Sequence, residues 1–304
     1  MAVKIVGIGA NVFDTLYNIP TYPTEDTKMR ATASKTAGGG PVATGLVAAQ
    51  KLGETAAYIG VLSDDNGGQF LKADFEKYGV ATHLIDVKAG YRSFASVLWL
   101  CADTTTRTCV FDKGDLPPLV LNETQKQAIK DAEILMVDGN ELDAAVEGAE
   151  IAKENGTKVL YDCGGLYDGV ERLLALTDIM IPSEEFAIGH TGCATAQSAA
   201  EKLYDMYHPQ VVVVTQGKRG GILYDGKTVT AYPIYPAVVV DSNGSGDVFH
   251  GAFAAGVVKG FDFTKCCHFS SAVSGLKCTG VGARESVPTF ETTKQYMKEN
   301  GYEL

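Results

Sequence analysis

The run Asp241-Ser242-Asn243-Gly244-Ser245-Gly246-Asp247 combines small residues with an acid in a way that suits one kind of chemistry. Gly244, Ser245 and Gly246 leave successive backbone N–H groups unshielded where the helical pattern Val248–Val258 begins, and bare amides at a helix N-terminus stabilise an anion. Asp247 in the same turn would repel a bound phosphate unless its task is to take a proton from an incoming hydroxyl. An anion cradle and a base in one turn suggest phosphoryl transfer to an alcohol. Taken alone, the run is also an ordinary glycine-rich helix cap, with Asp247 favouring the helix dipole. The apolar run Ala237–Val240 ahead of it reads as a strand.

Three further segments stand in register with this one. They are Gly38-Gly39-Gly40-Pro41-Val42-Ala43-Thr44, continued by Leu52-Gly53, Ile59-Gly60 and Asp64-Asp65; Val211–Thr215 followed by Gln216-Gly217-Lys218-Arg219-Gly220-Gly221; and Gly282-Ala283 with Val287-Pro288. Together the four resemble the ribokinase/PfkB family of carbohydrate kinases over nearly the whole chain. Asp241–Asp247 is similar to its Asp-Thr-x-Gly-Ala-Gly-Asp pattern, with Ser242 for Thr and Ser245 for Ala. The Gly-Gly-Gly-Pro-x-Ala-Thr form, Asp247–Gly251 and Leu276–Thr279 look closest to a subset with sulfofructose kinase and ketohexokinase-like members.

The resemblance implies a ribokinase-like three-layer α/β sandwich: a central, mainly parallel sheet and a small β lid from strands at about 15–36 and 91–111, within one domain spanning 1–304. It implies ATP-dependent phosphorylation of a primary sugar hydroxyl, a ketose or ketose derivative, with Asp247 as general base and Gly244–Asp247 as anion hole. Asp14 would accept hydrogen bonds from two sugar hydroxyls, since a carboxylate offers two acceptors and no donor; it is also a residue that closes turns. Gly39 and Gly40 let backbone approach the sugar, with Asn11, Thr44 and Arg92 as further contacts. Thr215, Gly217 and Gly220 border the nucleotide. Asp241 and Gly282 lie where the family often holds K+, and Mg2+ would bridge the phosphates. A homodimer through the lid strands is implied as well.

Three departures stand out. Thr44 occupies a position where most members carry Asn, and Ser63 one where they carry Gly. The family's Asn-x-x-Glu element should fall at Ser183–Phe186, where the chain has Ser-Glu-Glu-Phe, so no protein ligand for magnesium is assigned.

Composition narrows the alternatives. The 304 residues carry 26 basic and 37 acidic side chains, a formal charge of −11, and no basic run able to track a nucleic-acid backbone. No apolar run approaches the ~18 residues of a membrane span. Seven cysteines without a Cys-x-x-Cys pair read as reduced thiols in a cytoplasmic protein. Gly7-x-Gly9 after a strand lacks the third glycine of a dinucleotide turn, which would fall at Val12.

Short β-type runs alternate with amphipathic helical ones, from Val3–Gly9 to Val211–Thr215, which argues for βαβ units and a parallel sheet covered on both faces. Tyr17–Lys35 and Tyr91–Val110 break that rhythm and read as strands of mixed polarity. Arg107 on the second is expected at the surface, and His250, three residues beyond Asp247, in a packing role. Two other functions remain open: a nucleoside kinase using Tyr17, Phe94 or Trp99 as a base platform, and a sugar sensor without catalysis.

Overall fold

The computed structural model describes residues 2–104 and 106–304. The chain enters a central sheet with β1 (Ile5–Ile8), then leaves it for β2 (Val12–Ile19) and β3 (Ala33–Gly39). Next come α1 (Pro41–Lys51), β4 (Ala56–Ser63), α2 (Asn66–Tyr78) and β5 (Ile85–Lys88), followed by a second excursion, β6 (Ala95–Cys101) and β7 (Thr106–Asp112). The middle of the chain alternates regularly: α3 (Glu123–Asp131), β8 (Ile134–Val137), α4 (Leu142–Asn155), β9 (Lys158–Cys163), α5 (Glu171–Leu174), β10 (Ile179–Pro182) and α6 (Glu184–Thr191). It continues with α7 (Ala196–Tyr207), β11 (Val211–Thr215), β12 (Gly221–Tyr224) and β13 (Val229–Tyr232), and closes with α8 (Ser245–Val258), α9 (Phe263–Lys277) and α10 (Phe290–Glu299).

The central sheet runs β13-β12-β11-β10-β9-β8-β1-β4-β5 and is parallel except along its β11-β12-β13 edge. Alternate residues of each inner strand serve different cores, as a sheet covered on both faces requires. Ile5, Ile134, Met136, Val211 and Val213 pack with α1, α8 and α9, whereas Val6, Leu135, Val137, Val212 and Val214 pack with α4 and α7. The α/β expectation holds.

A second sheet, β3-β2-β6-β7, stands over one end of the first. The stretch Tyr17–Lys35 holds the end of β2 and the start of β3; between them 20–32 form no regular strand, and Pro20 and Pro23, which cannot donate to a ladder, lie in this part. The Ala237–Val240 run is not a strand either. Val238, Val239 and Val240 are exposed, in an irregular segment that Pro233 and Pro236 introduce.

What positions the site is the crossing of α1 and α8. Their N-terminal halves meet where a Cβ on Gly251 would overlap the Gly45 carbonyl, and one on Gly45 would lie 3.3 Å from the Asp247 carbonyl. The two glycines let the backbones touch, so the turn starting α1 and the turn starting α8 open side by side. Gly251→Val should therefore destabilise the fold by about 1–3 kcal/mol, the usual cost of overpacking. Urea unfolding monitored by circular dichroism measures this, and an unchanged midpoint would mean that the helices separate freely.

Candidate active site

Ligand sites of open α/β sheets lie beyond the carboxyl ends of the strands, and this edge is rich in acids. Asp138 follows β8 and is 3 % exposed. It accepts from the backbone N–H groups of Ala10 at 2.8 Å, Val42 at 3.2 Å and Asn140 at 3.0 Å, tying the end of β1 to the start of α1. Burial raises its pKa against those hydrogen bonds.

Asp14 extends from β2 beneath the smaller sheet. Ser96 Oγ on β6 donates to its Oδ1 at 2.6 Å, and its other oxygen lies so close to Gly39 that a Cβ there would overlap it. Burial pushes the Asp14 pKa up to about 6, against the Ser96 hydrogen bond and the Arg284 charge, with Asp247 adding to the rise. Gly40, the residue capping α1, has φ 94°, and a side chain there would meet the Ala10 carbonyl. Asn11, Phe94, Lys113, Asn140 and Glu141 line a neighbouring cavity of about 350 Å3.

Two of the expected substrate contacts lie elsewhere. Thr44 is fully buried, and its hydroxyl accepts from Arg284 Nε at 3.5 Å. Arg92 reaches outward to Asp112 at 2.7 Å and Asp115 at 3.2 Å, with 63 % of its side chain exposed. Tyr17 and Trp99 pair across β2 and β6 on the face opposite Asp14, because neighbouring strand positions alternate sides. They offer no platform in the cleft.

A second cleft of about 710 Å3 runs along α8. Thr215, Gly217 and Gly220 line it together with Gly244–Asp247 and the exposed valine segment at Val239. Gly244 caps the helix in a left-handed conformation. Ser245 does not offer its N–H to a ligand in this arrangement, because it donates to Ser242 O at 3.2 Å. The N–H groups of Gly246 and Asp247 belong to the first helical turn, where no intrahelical acceptor exists. Arg107 is exposed, as expected, and from β7 it also borders this cleft.

Asp247 is half-buried at the cleft floor. The surrounding protein withdraws its carboxylate from water and raises its pKa, while the nearby His250 opposes that rise. His250 Nδ1 lies 2.6 Å from Gly246 O and 3.1 Å from Asp162 Oδ2, and its Nε2 lies 2.9 Å from Ile181 O. The ring thus ties the first turn of α8 to β10.

The arrangement does not suit the potassium implied near Asp241 and Gly282. Lys277 is buried and its ammonium donates to the Asp241 carbonyl at 2.8 Å, so positive charge already stands where potassium was expected. Gly282 meets Asp241 through its N–H, which donates to Oδ2 at 2.9 Å. In the Ser183–Phe186 segment, Phe186 is core, and Glu184 holds Gln216 Nε2 at 2.8 Å and the Arg219 guanidinium. Among the described residues no group of three or more Asp, Glu, His or Cys side chains stands together as a metal cage.

Comparison with known proteins gives the family and the fold. The family model for pfkB family carbohydrate kinases matches residues 5–290. The chain belongs to that family. This pfkB-family carbohydrate kinase is 25 % identical to ribokinase of Haemophilus influenzae, over 96 % of its own length and 97 % of the relative's. It is 27 % identical to 5-dehydro-2-deoxygluconokinase of Clostridium perfringens, with 88 % and 85 % covered. In fold it is similar to Arabidopsis thaliana ribokinase complexed with ribose and ATP, with TM-score 0.88, 24 % identity and coverage of 98 % and 99 %. The nucleoside kinase of Methanocaldococcus jannaschii shares the same fold, with TM-score 0.81, 17 % identity and coverage of 97 % and 98 %.

Sequence reasoning about this kinase missed Asp138, Asp162, Lys277 and Arg284. The first two carried a signal: each is the acid that follows apolar residues at the carboxyl end of a parallel strand. Lys277 and Arg284 carried none, because long cations usually lie at the surface.

The raised pKa of Asp14 has a sign that can be checked. The folded protein holds this proton more tightly than the unfolded chain, so stability from this group is present below about pH 4 and lost as pH rises through about 6. Without ligands, Asp14→Asn should exceed wild type in stability by up to about 3 kcal/mol at pH 8 and match it near pH 4. Thermal melts at the two pH values measure the gap, and a constant gap would exclude the Asp14 proton as its cause.

Proposed function

We propose that this chain transfers the γ-phosphoryl group of ATP to a primary hydroxyl of a sugar, a ketose or ketose derivative. The observation that carries the reading is the floor of the larger cleft, where Asp247, its pKa raised, shares one helical turn with the unpaired N–H groups of Gly246 and its own backbone. A base whose pKa moves toward neutrality is suited to accept a proton from an alcohol. The sugar hydroxyl oxygen attacks the γ-phosphorus as its proton passes to Asp247, and ADP leaves with the electrons of the broken P–O bond. The amides, and Arg107 on β7, face the charge that develops on the transferred group.

Asp14 and Gly39 hold the sugar on the neighbouring side, close enough that the Asp14 and Asp247 charges influence one another. The exposed Val239 segment offers an apolar surface to the adenine ring. Magnesium, when bound with the nucleotide, would supply further positive charge to the phosphates, and no side chain is assigned as its ligand. The ketose preference is supported by the Gly38–Thr44 and Leu276–Thr279 motifs. Tyr17, Val97, Trp99 and Val110, all exposed on the outer face of the smaller sheet, support a homodimer through those strands. Seven unpaired cysteines suit a reducing, cytoplasmic setting.

ADP release from ATP, measured with D-fructose, D-ribose, 5-dehydro-2-deoxygluconate and adenosine, tests the reaction. Sugar-dependent turnover is expected, and sugar binding without turnover would favour a sensor. Asp247→Asn should lower kcat at least a hundredfold while leaving the Kd for ATP within about threefold; wild-type turnover in that variant would remove Asp247 from the mechanism.

The Lys277 ammonium takes the place proposed for potassium, so the rate in tetramethylammonium buffer should stay within about twofold of that in KCl. A tenfold activation by KCl, with a matching rise in thermal midpoint, would refute that assignment.

A further inference from the structure

Arg284 lies on the loop between α9 and α10, yet only 1 % of its surface is exposed. Its donors are distributed over three segments of the chain. Nη1 pairs with Asp74 of α2 at 2.6 Å, and Nη2 donates to the Gly39 carbonyl at 2.7 Å and to Asn11 Oδ1 at 3.1 Å. Nε faces the Thr44 hydroxyl at 3.5 Å, and the Phe75 ring centre lies 5.3 Å from the guanidinium carbon. A Cβ on Gly38 would overlap Nη1, so the first glycine of the triplet keeps this path open.

The consequence falls on Asn11. Arginine has donors only, so the amide must turn its oxygen toward Arg284 and its nitrogen away. That nitrogen, Nδ2, is buried without a hydrogen-bond partner among the described residues, in a residue 5 % exposed that borders the 350 Å3 cavity. Buried donors without partners are rare and ask for an acceptor. Thr44, standing where the family pattern has Asn, does not meet this need: its hydroxyl accepts from Arg284 Nε and not from Asn11 Nδ2.

We propose that Arg284 is a positioning residue for sugar recognition: it locks the Asn11 amide so that Nδ2 donates to a hydroxyl or carbonyl oxygen of the sugar, beside the hydroxyls taken by Asp14. The inference rests on the sugar-kinase reading and adds a specificity rule to it. The acceptor must present an oxygen at the position facing Asn11, since a site built around a fixed donor discriminates against ligands lacking its partner.

Kinetics with the best acceptor among D-fructose, D-ribose and 5-dehydro-2-deoxygluconate test this. Asn11→Leu removes the donor, and Arg284→Lys keeps a charge for Asp74 but loses the fork to Asn11 and Gly39. Each should raise the sugar KM at least tenfold with the ATP KM within twofold, and the double variant should rise no further than the larger single. An unchanged sugar KM in Asn11→Leu overturns the proposal, as do equal rises in both KM values or multiplicative effects in the double variant. If Arg284→Lys shows no cooperative melt, Asn11→Leu and Asn11→Asp decide alone, both predicted to raise the sugar KM. A wild type silent on all three acceptors sinks the kinase reading itself, an outcome distinct from an active wild type with indifferent variants.

Discussion

The contact between Gly45 and Gly251 is the constraint from which the site follows. Two helices far apart in sequence cross with their backbones touching, and no side chain intervenes. Because they meet within their first two turns, both N-termini open at the same edge of the sheet. One turn brings Gly39 and Gly40, the other Gly244–Asp247. Ridge-and-groove packing of ordinary side chains would set the axes 8–10 Å apart, and the sugar side would be separated from the phosphate side by a comparable margin.

Charge is arranged with equal economy at this edge. Asp14, Asp138, Asp162 and Asp247 stand along it in a chain of net charge −11, the first three buried and Asp247 half-buried, and burial raises the pKa of each. Backbone amides satisfy Asp138, while Arg284 and His250 lie within electrostatic reach of the others. In the proposed reaction an anionic nucleotide would be met by the oriented N–H groups and by Arg107 of the larger cleft, not by a basic surface. Local dipoles and one well-placed cation outweigh the overall sign of the protein in such a cleft.

The alternation of β and α patterns revealed the layered sheet, because apolar periodicity reflects burial directly. Glycine turns at 38–40 and 244–246 were equally legible, since close backbone approach leaves few residue choices. Other parts were not. Ala237–Val240 has strand composition, but two prolines nearby and a cleft to line keep it irregular and exposed. Thr44 and Arg92 sit in stretches of the right pattern, yet their hydrogen-bond partners, Arg284 for one and Asp112 with Asp115 for the other, come from elsewhere in the fold. Nothing local indicates that Arg284 turns inward. Its burial depends on Asp74, Asn11 and Gly39 converging from three elements, and convergence is a property of the tertiary structure.

The smaller sheet joins the two halves of the chemistry. Asp14 and Ser96 face each other across β2 and β6, and Arg107 on β7 opposes Leu100, which shares the Ser96 side of the strand. Asp14, Ser96 and Arg107 therefore lie on one face of a single hydrogen-bonded ladder. The carboxylate proposed to hold the sugar and the cation proposed to face the phosphate are thus carried by one sheet. The connection from β1 into β2 is only three residues, 9–11, with Ala10 bound to Asp138 and Asn11 to Arg284. The base of the sheet is thereby anchored at the very residues that line the sugar side.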